Sequence, residues 1–190
     1  KINQNPHFVY LAYFAPGVIK VGISQEERGI RRLLEQGARL ALKLETFSSA
    51  LIARQYEAKI ARLDGIVETM PIHKKLELIK QPFDRADGEE KLQQKLLEIE
   101  QKIGVSFPKA ELIPCEDYFH TTGVDLTRVV LMKDQNQLAG RVRSIIGPIL
   151  ITDYDGQLLA YNVKKFIGYQ ARKIDGAIDI EIPSTQLALF

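Results

Sequence analysis

The sequence contains a single cysteine, Cys115, among its 190 residues. One thiol can form neither a disulfide within the chain nor a cysteine-rich zinc site, which favours a reducing compartment. Long apolar runs are also missing. None approaches the roughly 18 to 20 residues needed to cross a bilayer, and no charged segment followed by an apolar one marks a signal peptide. We therefore expect a cytoplasmic protein that does not enter a membrane.

Charge of either sign is in little excess, with 26 basic against 24 acidic residues. The hydrophobic share of 45% is that of a globular protein able to bury a core. Residues 1–65 carry ten basic and six acidic side chains, and the rest of the chain carries sixteen and eighteen. A polyanion would therefore be expected at the N-terminal part, although an asymmetry of this size often arises by chance.

The first 65 residues predict the element order strand, strand, helix, strand, helix. Two runs rich in β-branched and aromatic residues flank Ala15, Pro16 and Gly17, which indicates a hairpin of strands 8–13 and 18–24. Ile30, Leu33 and Leu34 follow helical spacing, and Gly37 stands where a helix would end. A strand is predicted at 40–47 and a second helix from Ser48 or Ser49 to Leu63.

The remaining residues predict helices and then short strands. Helices are expected at 72–79 and 89–103, separated by Pro82 and the run 84–88. The strongest later signal is "ILITDYDGQLLAYN", where Asp155 and Gly156 form a turn between apolar runs. We therefore expect an α+β protein with a core at 1–65, a helical extension at 66–109 and a small β-rich module at 110–190.

Polar side chains share one face of the predicted hairpin. Alternation turns Tyr10, Lys20, Gly22 and Ser24 away from the apolar set that includes Val9. Any pairing close to the turn puts Tyr10 opposite or diagonal to Lys20 and Gly22. This face is either the solvated side of an amphipathic hairpin or the rim of a site, and Ser24 has no assigned role.

The second predicted helix turns a carboxylate toward an apolar stripe. Four small or apolar residues lie within about 60° of Glu57, at 100° per residue: Ala50, Ala53, Ile60 and Ala61. An ionised carboxylate there needs a cation or strong donors. The partner is either a divalent metal ion or a buried ion pair with Arg32, Arg39 or Lys20.

Two arginines lie one turn apart on the first predicted helix. Arg28 and Arg32 face away from its apolar stripe and repel each other mildly, unless an anion such as a phosphate lies between them. A solvated helix face is the plainer explanation for either arginine. Metal-assisted cleavage of a phosphodiester requires a base, a cationic group that stabilises charge and a ligand for the metal. The sequence offers such a set: tyrosine and lysine on a hairpin, arginine on one helix and glutamate on the next.

Four short motifs resemble those of the GIY-YIG nuclease superfamily. They are "FVY" at 8–10, "KVG" at 20–22, Arg32 in "RRLLEQGA" and Glu57 in "RQYEAKI". The likeness spans residues 7 to about 65 and includes the element order. The longer run "HFVYLAYFAPGVIKVGISQEERG" is similar to an uncharacterised bacterial family within the superfamily, whose members usually carry a cysteine-rich segment upstream. Because Lys1 is not an initiator methionine, we expect that this segment precedes the given sequence.

The resemblance implies a role for each matching residue. Tyr10 would be the general base that activates water, and Arg32 would stabilise the phosphate charge. Glu57 would bind one divalent metal, Mg²⁺ or Mn²⁺, and Lys20 takes the second-motif position at the catalytic site. The nucleic-acid contacts are expected from four further residues: Gly22, which would keep its strand open to backbone approach, Arg28, Arg31 and Arg39.

The sequence departs from the superfamily pattern at several points. Phe8 replaces a glycine of the first motif, Lys20 replaces a tyrosine of the second, and Gln36 stands where some of these nucleases have histidine. Lysine at the second motif occurs in active branches. We expect a metal-dependent nuclease acting on DNA or RNA. The alternatives are a module on the same scaffold that binds nucleic acid without cleaving it, and a structural or protein-interaction domain.

The β-rich module contains basic and aromatic residues that could extend a nucleic-acid surface. The basic residues are Arg141, Arg143, Lys164, Lys165, Arg172 and Lys173, and the aromatic ones are Tyr161, Phe166 and Tyr169. Charges on the outer face of ordinary strands would give the same pattern.

Overall fold

The computed structural model describes residues 4–133, 136–176, 178 and 180–183. This part of the chain is α+β, as predicted, with two mixed sheets and four α-helices. The strands are β1 His7–Ala15, β2 Val18–Gln25, β3 Leu40–Phe47, β4 Ile66–Val67, β5 Glu111–Ile113, β6 Val130–Leu131, β7 Arg141–Ile146, β8 Ile149–Tyr154 and β9 Gln157–Asn162. The helices are α1 Gly29–Gln36, α2 Ala50–Ile60, α3 Ile72–Leu78 and α4 Arg85–Ile103. None of the helices in the described ranges has the length and apolar character that crossing a membrane requires.

The first sheet has the strand order β4-β2-β1-β3-β5. The predicted hairpin is confirmed: β1 pairs antiparallel with β2 on one side and with β3 on the other. All nine residues of β1 are buried. The hairpin therefore has no solvated face, and that interpretation of the alternating pattern is wrong, because other elements cover both sides of the central strand.

Helices α2 and α4 cover one face of this sheet. Val9 and Leu11 of β1 lie in the same core as Ala53 of α2 and Leu92 of α4. Alternate residues of a strand point to opposite faces, so these side chains define one side of the sheet. The apolar half of the predicted alternation is therefore the part of the hairpin that packs against the two longest helices.

The other face is covered by α1, α3 and the second sheet. Phe8 and Tyr10 of β1 pack in one core with Leu33 of α1, Leu78 of α3 and Ile149 of β8. This face carries Tyr10 and Lys20 of the candidate site, whereas Glu57 belongs to α2, the helix that covers the other face. The second sheet is therefore part of the wall behind the site.

The largest differences from the predicted helix boundaries are at the end of α2 and the start of α4. Helix α2 begins after its predicted cap, where Ser49 accepts a hydrogen bond from the Ile52 amide at 3.4 Å, but it ends at Ile60 instead of Leu63. Helix α4 begins at Arg85, so the predicted break at 84–88 is wrong. Asp84 caps the helix by accepting from the Asp87 amide at 2.9 Å. Gly88 lies inside the helix and faces β3. A Cβ there would come within 2.9 Å of Leu40, so the absence of a side chain allows the helix to pack closely against the strand.

The second sheet has the order β6-β9-β8-β7. Strands β8 and β9 form the hairpin predicted around Asp155 and Gly156, and Tyr154 pairs with Gln157 across the turn. The chain enters this sheet at β6, which runs parallel to β9. The first sheet also takes β4 and β5 from beyond residue 65, so it contains strands from all three segments of the predicted division.

The second sheet meets α1 at a close backbone contact. The turn between β7 and β8 lies against the end of α1, where a Cβ added at Gly147 would be 2.6 Å from the Gly37 amide nitrogen. Backbone atoms cannot give way as a flexible side chain can. The absence of a side chain at Gly147 therefore allows the second sheet to pack against α1.

We expect Gly147→Ala to destabilise the fold far more than Gly156→Ala. Both glycines have positive φ, 56° and 80°, but only Gly147 has neighbours within 4 Å. The control substitution carries only the left-handed backbone cost of roughly 1–2 kcal/mol, and Gly147→Ala adds an overpacking cost of about 1–3 kcal/mol. Urea unfolding of both variants measures the difference. Equal losses of stability would contradict the close contact.

Candidate active site

Tyr10 and Lys20 share the space above Gly22. Tyr10 of β1 pairs with Gly22 of β2, and Lys20 lies two residues before Gly22 on the same face. A Cβ added at Gly22 would lie 2.5 Å from the Tyr10 hydroxyl oxygen and 3.0 Å from Lys20 Nζ. Only glycine fits there. The space expected to stay open for a nucleic-acid backbone is filled by the phenol of Tyr10.

Lys20 is a buried lysine with a fixed ammonium group. Its side chain is 8% exposed, Nζ donates to the carbonyl of Val21 at 2.8 Å, and the same atom lies 5.7 Å from the centre of the Tyr10 ring. Burial lowers the pKa of Lys20, and the negative charge of Glu57 opposes this shift. The ammonium is therefore a better proton donor than an exposed lysine.

The Tyr10 hydroxyl is buried and makes no hydrogen bond of standard geometry within the described residues, although the side chain of Arg32 is close enough to favour its deprotonated form. Burial raises the pKa of Tyr10, while the positive charge of Arg32 opposes the rise. The phenol is therefore protonated near neutral pH. A buried hydroxyl without a partner carries a free-energy cost, and such groups in folded proteins need an explanation.

Arg32 extends from α1 toward Tyr10. Its Nε is the second buried polar atom without a partner in the part of the chain that the structure describes. Glu35 lies between the two arginines predicted to hold a phosphate, 2.5 Å from Arg28 Nη2 and 3.8 Å from Arg32 Nη1. Because Glu35 is about half exposed, an incoming phosphate would compete for these arginines with a solvated carboxylate.

Glu57 is half-buried on α2. Burial raises the pKa of its carboxyl, the positive charges of Lys20, Arg54 and Arg32 oppose the rise, and the negative charge of Glu68 adds to it. No ion pair joins Glu57 to a described basic residue. The buried ion pair weighed from the sequence is therefore wrong. The carboxylate lies within electrostatic range of these cations without bonding to them.

Four side chains from four elements thus lie within electrostatic range of one another: Tyr10 of β1, Lys20 of β2, Arg32 of α1 and Glu57 of α2. Glu68 joins them. It follows β4, whose Val67 pairs with Lys20, and its charge acts on both Lys20 and Glu57. Sequence patterns missed Glu68, since a strand of two residues leaves no periodic signal.

The structure does not bring every predicted contact residue to this cluster. Arg39 donates to the carbonyls of Ile79 and Gln81, both at 2.8 Å, and its guanidinium lies 5.1 Å from the Phe83 ring centre. These contacts satisfy backbone carbonyl groups at the C-terminal end of α3. Arg31 is exposed on α1. Nucleic-acid contacts by Arg31 and Arg39 stay predictions.

The cluster fits a metal held by few protein ligands. Within the described ranges, no three or more His, Cys, Asp or Glu side chains are grouped as a metal cage would require. Mg²⁺ usually keeps several waters and binds one or two carboxylates together with substrate phosphates. The half-buried carboxylate of Glu57, which forms no ion pair with a described basic residue, suits that kind of binding.

A second buried lysine lies next to the cluster. Lys75 of α3 is 6% exposed, donates to the Gln36 carbonyl at the end of α1 at 2.5 Å, and has Nζ 5.3 Å from the Phe14 ring centre. Burial lowers its pKa to about 8, assisted by the charges of Lys164, Lys20 and Arg32. Sequence patterns gave no sign of this lysine, whose burial depends on α3 packing beside α1.

Because of Lys75, the free energy of unfolding should increase with pH in the alkaline range. Its pKa is about 8 in the folded protein against 10.5 for an ordinary lysine, so between these values the unfolded chain binds more protons. Raising the pH through this window therefore stabilises the folded state. We expect the unfolding free energy of the wild type, relative to Lys75→Met, to rise by roughly 1–3 kcal/mol from pH 8 to 10.5. A flat or falling difference in urea unfolding would contradict the burial of a charged Lys75.

The fold and the cluster define an α+β protein with a polar, partly buried site where its first sheet meets α1 and α2. Residues 1–171 match the model of a family described as "Protein of unknown function (DUF2797)", and the chain belongs to that family. No curated protein and no solved structure matched the chain. The family description assigns no activity, so a function must be argued from the site.

Proposed function

We propose that this protein is a metal-dependent nuclease of the GIY-YIG type that hydrolyses phosphodiester bonds in nucleic acid. The observation that carries the proposal is the buried hydroxyl of Tyr10, which makes no hydrogen bond of standard geometry and lies within electrostatic range of Arg32 and Glu57. The order β1, β2, α1, β3, α2 supports the superfamily assignment, because it matches the order expected for that nuclease core.

Each side chain has a role in the proposed reaction. The phenol of Tyr10, which is protonated near neutral pH, first releases its proton to solvent. The attacking water then forms a bond to phosphorus and gives its proton to the resulting phenolate oxygen, while the bond to the leaving sugar oxygen breaks. Arg32 stabilises the phenolate and the charge on the phosphate oxygens. The leaving oxygen takes its proton from the Lys20 ammonium, whose lowered pKa suits an acid. A divalent cation held by Glu57 and water would neutralise phosphate charge.

A cleavage assay on a substrate panel tests this proposal. Purified protein is incubated with Mg²⁺ or Mn²⁺ and with labelled single-stranded and duplex DNA and RNA, and EDTA serves as the control. We expect at least one substrate to be cut only when the metal is present. Failure to cut any of the four substrates with either metal would overturn the proposed activity.

A non-catalytic module that binds nucleic acid is the second candidate. It is favoured by the raised pKa of Tyr10, because a neutral phenol cannot accept a proton from water. This candidate predicts salt-dependent binding that survives Glu57→Gln, together with no metal-dependent cleavage. The substrate panel and a binding assay therefore separate the two functions.

A further inference from the structure

A groove of about 800 Å³ lies beside the second sheet. One wall comes from residues 136–138, and the other from the segment that follows β9. The groove is lined by Lys165, Phe166, Tyr169 and Arg172, among others. The basic and aromatic residues noted in the β-rich module are thus divided by the structure: these four line one groove, whereas Tyr161 is buried with its hydroxyl accepting from the Ala139 amide at 3.3 Å.

The chemistry of the groove suits an anionic ligand with flat rings. Two of the lining side chains are cationic, two are aromatic, and none of the described lining residues is acidic. Tyr169 is 77% exposed, so its ring is free for stacking. Aromatic rings and basic side chains along one groove are what proteins use to bind single-stranded nucleic acid, since bases stack on the rings and phosphates pair with the cations.

One short helix forms part of the groove. The 3₁₀ helix Val163–Phe166 supplies two of its lining residues. Lys164 of the same helix lies close enough to Lys75 to act on it, and Lys75 is in turn within range of Lys20 and Arg32.

We propose that this groove binds single-stranded nucleic acid, with a base stacked on Tyr169 and a phosphate held by Arg172. A duplex keeps its bases stacked on each other, so it cannot use the exposed ring. The inference rests on the proposed function for the identity of the ligand, and it makes single strands the preferred substrate class. Binding is measured without metal, so the two proposals can fail separately.

Fluorescence anisotropy of labelled 20-residue DNA and RNA strands in EDTA tests the groove. We expect the wild type to bind single strands more tightly than duplexes, and Tyr169→Ala to weaken single-strand binding about 10-fold, as the loss of one stacked base does. Tyr169→Phe keeps the ring and should bind like the wild type. Tyr118→Ala is the matched control, because Tyr118 is 53% exposed but does not line the groove. Arg172→Ala should reduce the slope of log affinity against log salt by about 0.7.

The outcomes separate the two proposals. Weaker binding by Tyr169→Ala in a protein that never cleaves would support the groove and overturn the nuclease. Cleavage that depends on Glu57, with unchanged strand binding by Tyr169→Ala, would support the nuclease and overturn the groove. Equal affinity for duplexes and single strands, or equal losses in Tyr169→Ala and Tyr118→Ala, would also overturn the groove.

Discussion

Glu57→Gln is expected to lower the single-turnover cleavage rate about a thousandfold, the loss typical when one group that stabilises transition-state charge is removed. Glutamine keeps the size of the side chain but cannot supply the negative charge that holds a divalent cation. Burial raises the pKa of the half-buried Glu57 carboxyl, which means that its charged form is less favourable in the folded protein than in the unfolded chain. Removing this charge should therefore not destabilise the fold. The expected change is therefore in the rate and not in the folded fraction.

The matched control for this prediction is Glu77→Gln. Glu77 is an exposed glutamate of α3 that pairs with Lys74 at 3.6 Å, so its replacement removes the same charge away from the cluster. Both variants are compared with the wild type in Mn²⁺ on the substrate found in the panel, and unfolding curves show that each is folded. Equal cleavage rates for Glu57→Gln and Glu77→Gln would show that Glu57 is not part of the active site.

Gly22→Ala is expected to cost about 1–3 kcal/mol of stability by overpacking, and to lower the cleavage rate roughly a hundredfold by moving Tyr10. The new Cβ would lie 2.5 Å from the Tyr10 hydroxyl oxygen and 2.6 Å from its Cζ. Because Tyr10 is fully buried, the ring cannot swing into solvent. The substitution must displace the ring or spread the two strands.

A double-mutant cycle separates this contact from other effects of the substitution. In a Tyr10→Ala background the ring is gone, so Gly22→Ala should cost much less stability than in the wild type. Urea unfolding of the four proteins measures the coupling, which we expect to exceed about 0.5 kcal/mol, as for residues in contact. Additive losses would show that the ring and Gly22 do not meet as described.

The N-terminal elements could be predicted because local patterns determine them. Strand β3 has the predicted bounds, and Ser49 caps α2 as expected, since alternation and capping depend on neighbouring residues alone. The burial of both hairpin faces could not be predicted. It depends on the second sheet, which begins more than a hundred residues later and packs against the face that contains Tyr10. The two-residue strand β4 is likewise too short to give a pattern.

The four residues predicted as catalytic could be proposed from sequence because each has an unusual position in its own element. Glu57 interrupts a stripe of small residues, and Tyr10 and Lys20 alternate with apolar neighbours. Lys75 and Glu68 could not be found in this way, since their places near the cluster depend on how α3 and β4 pack. The contacts of Arg39 with the end of α3 are equally invisible in the sequence.

The central claim is that Tyr10 and Glu57 belong to one active site that hydrolyses phosphodiesters. The most direct test compares single-turnover cleavage by the wild type, Tyr10→Phe, Glu57→Gln and the double variant, with metal in excess. Residues that act as a unit give non-additive effects. We therefore predict metal-dependent cleavage by the wild type and a double variant no slower than the slower single variant. Absence of metal-dependent cleavage, or losses that multiply in the double variant, would contradict the claim.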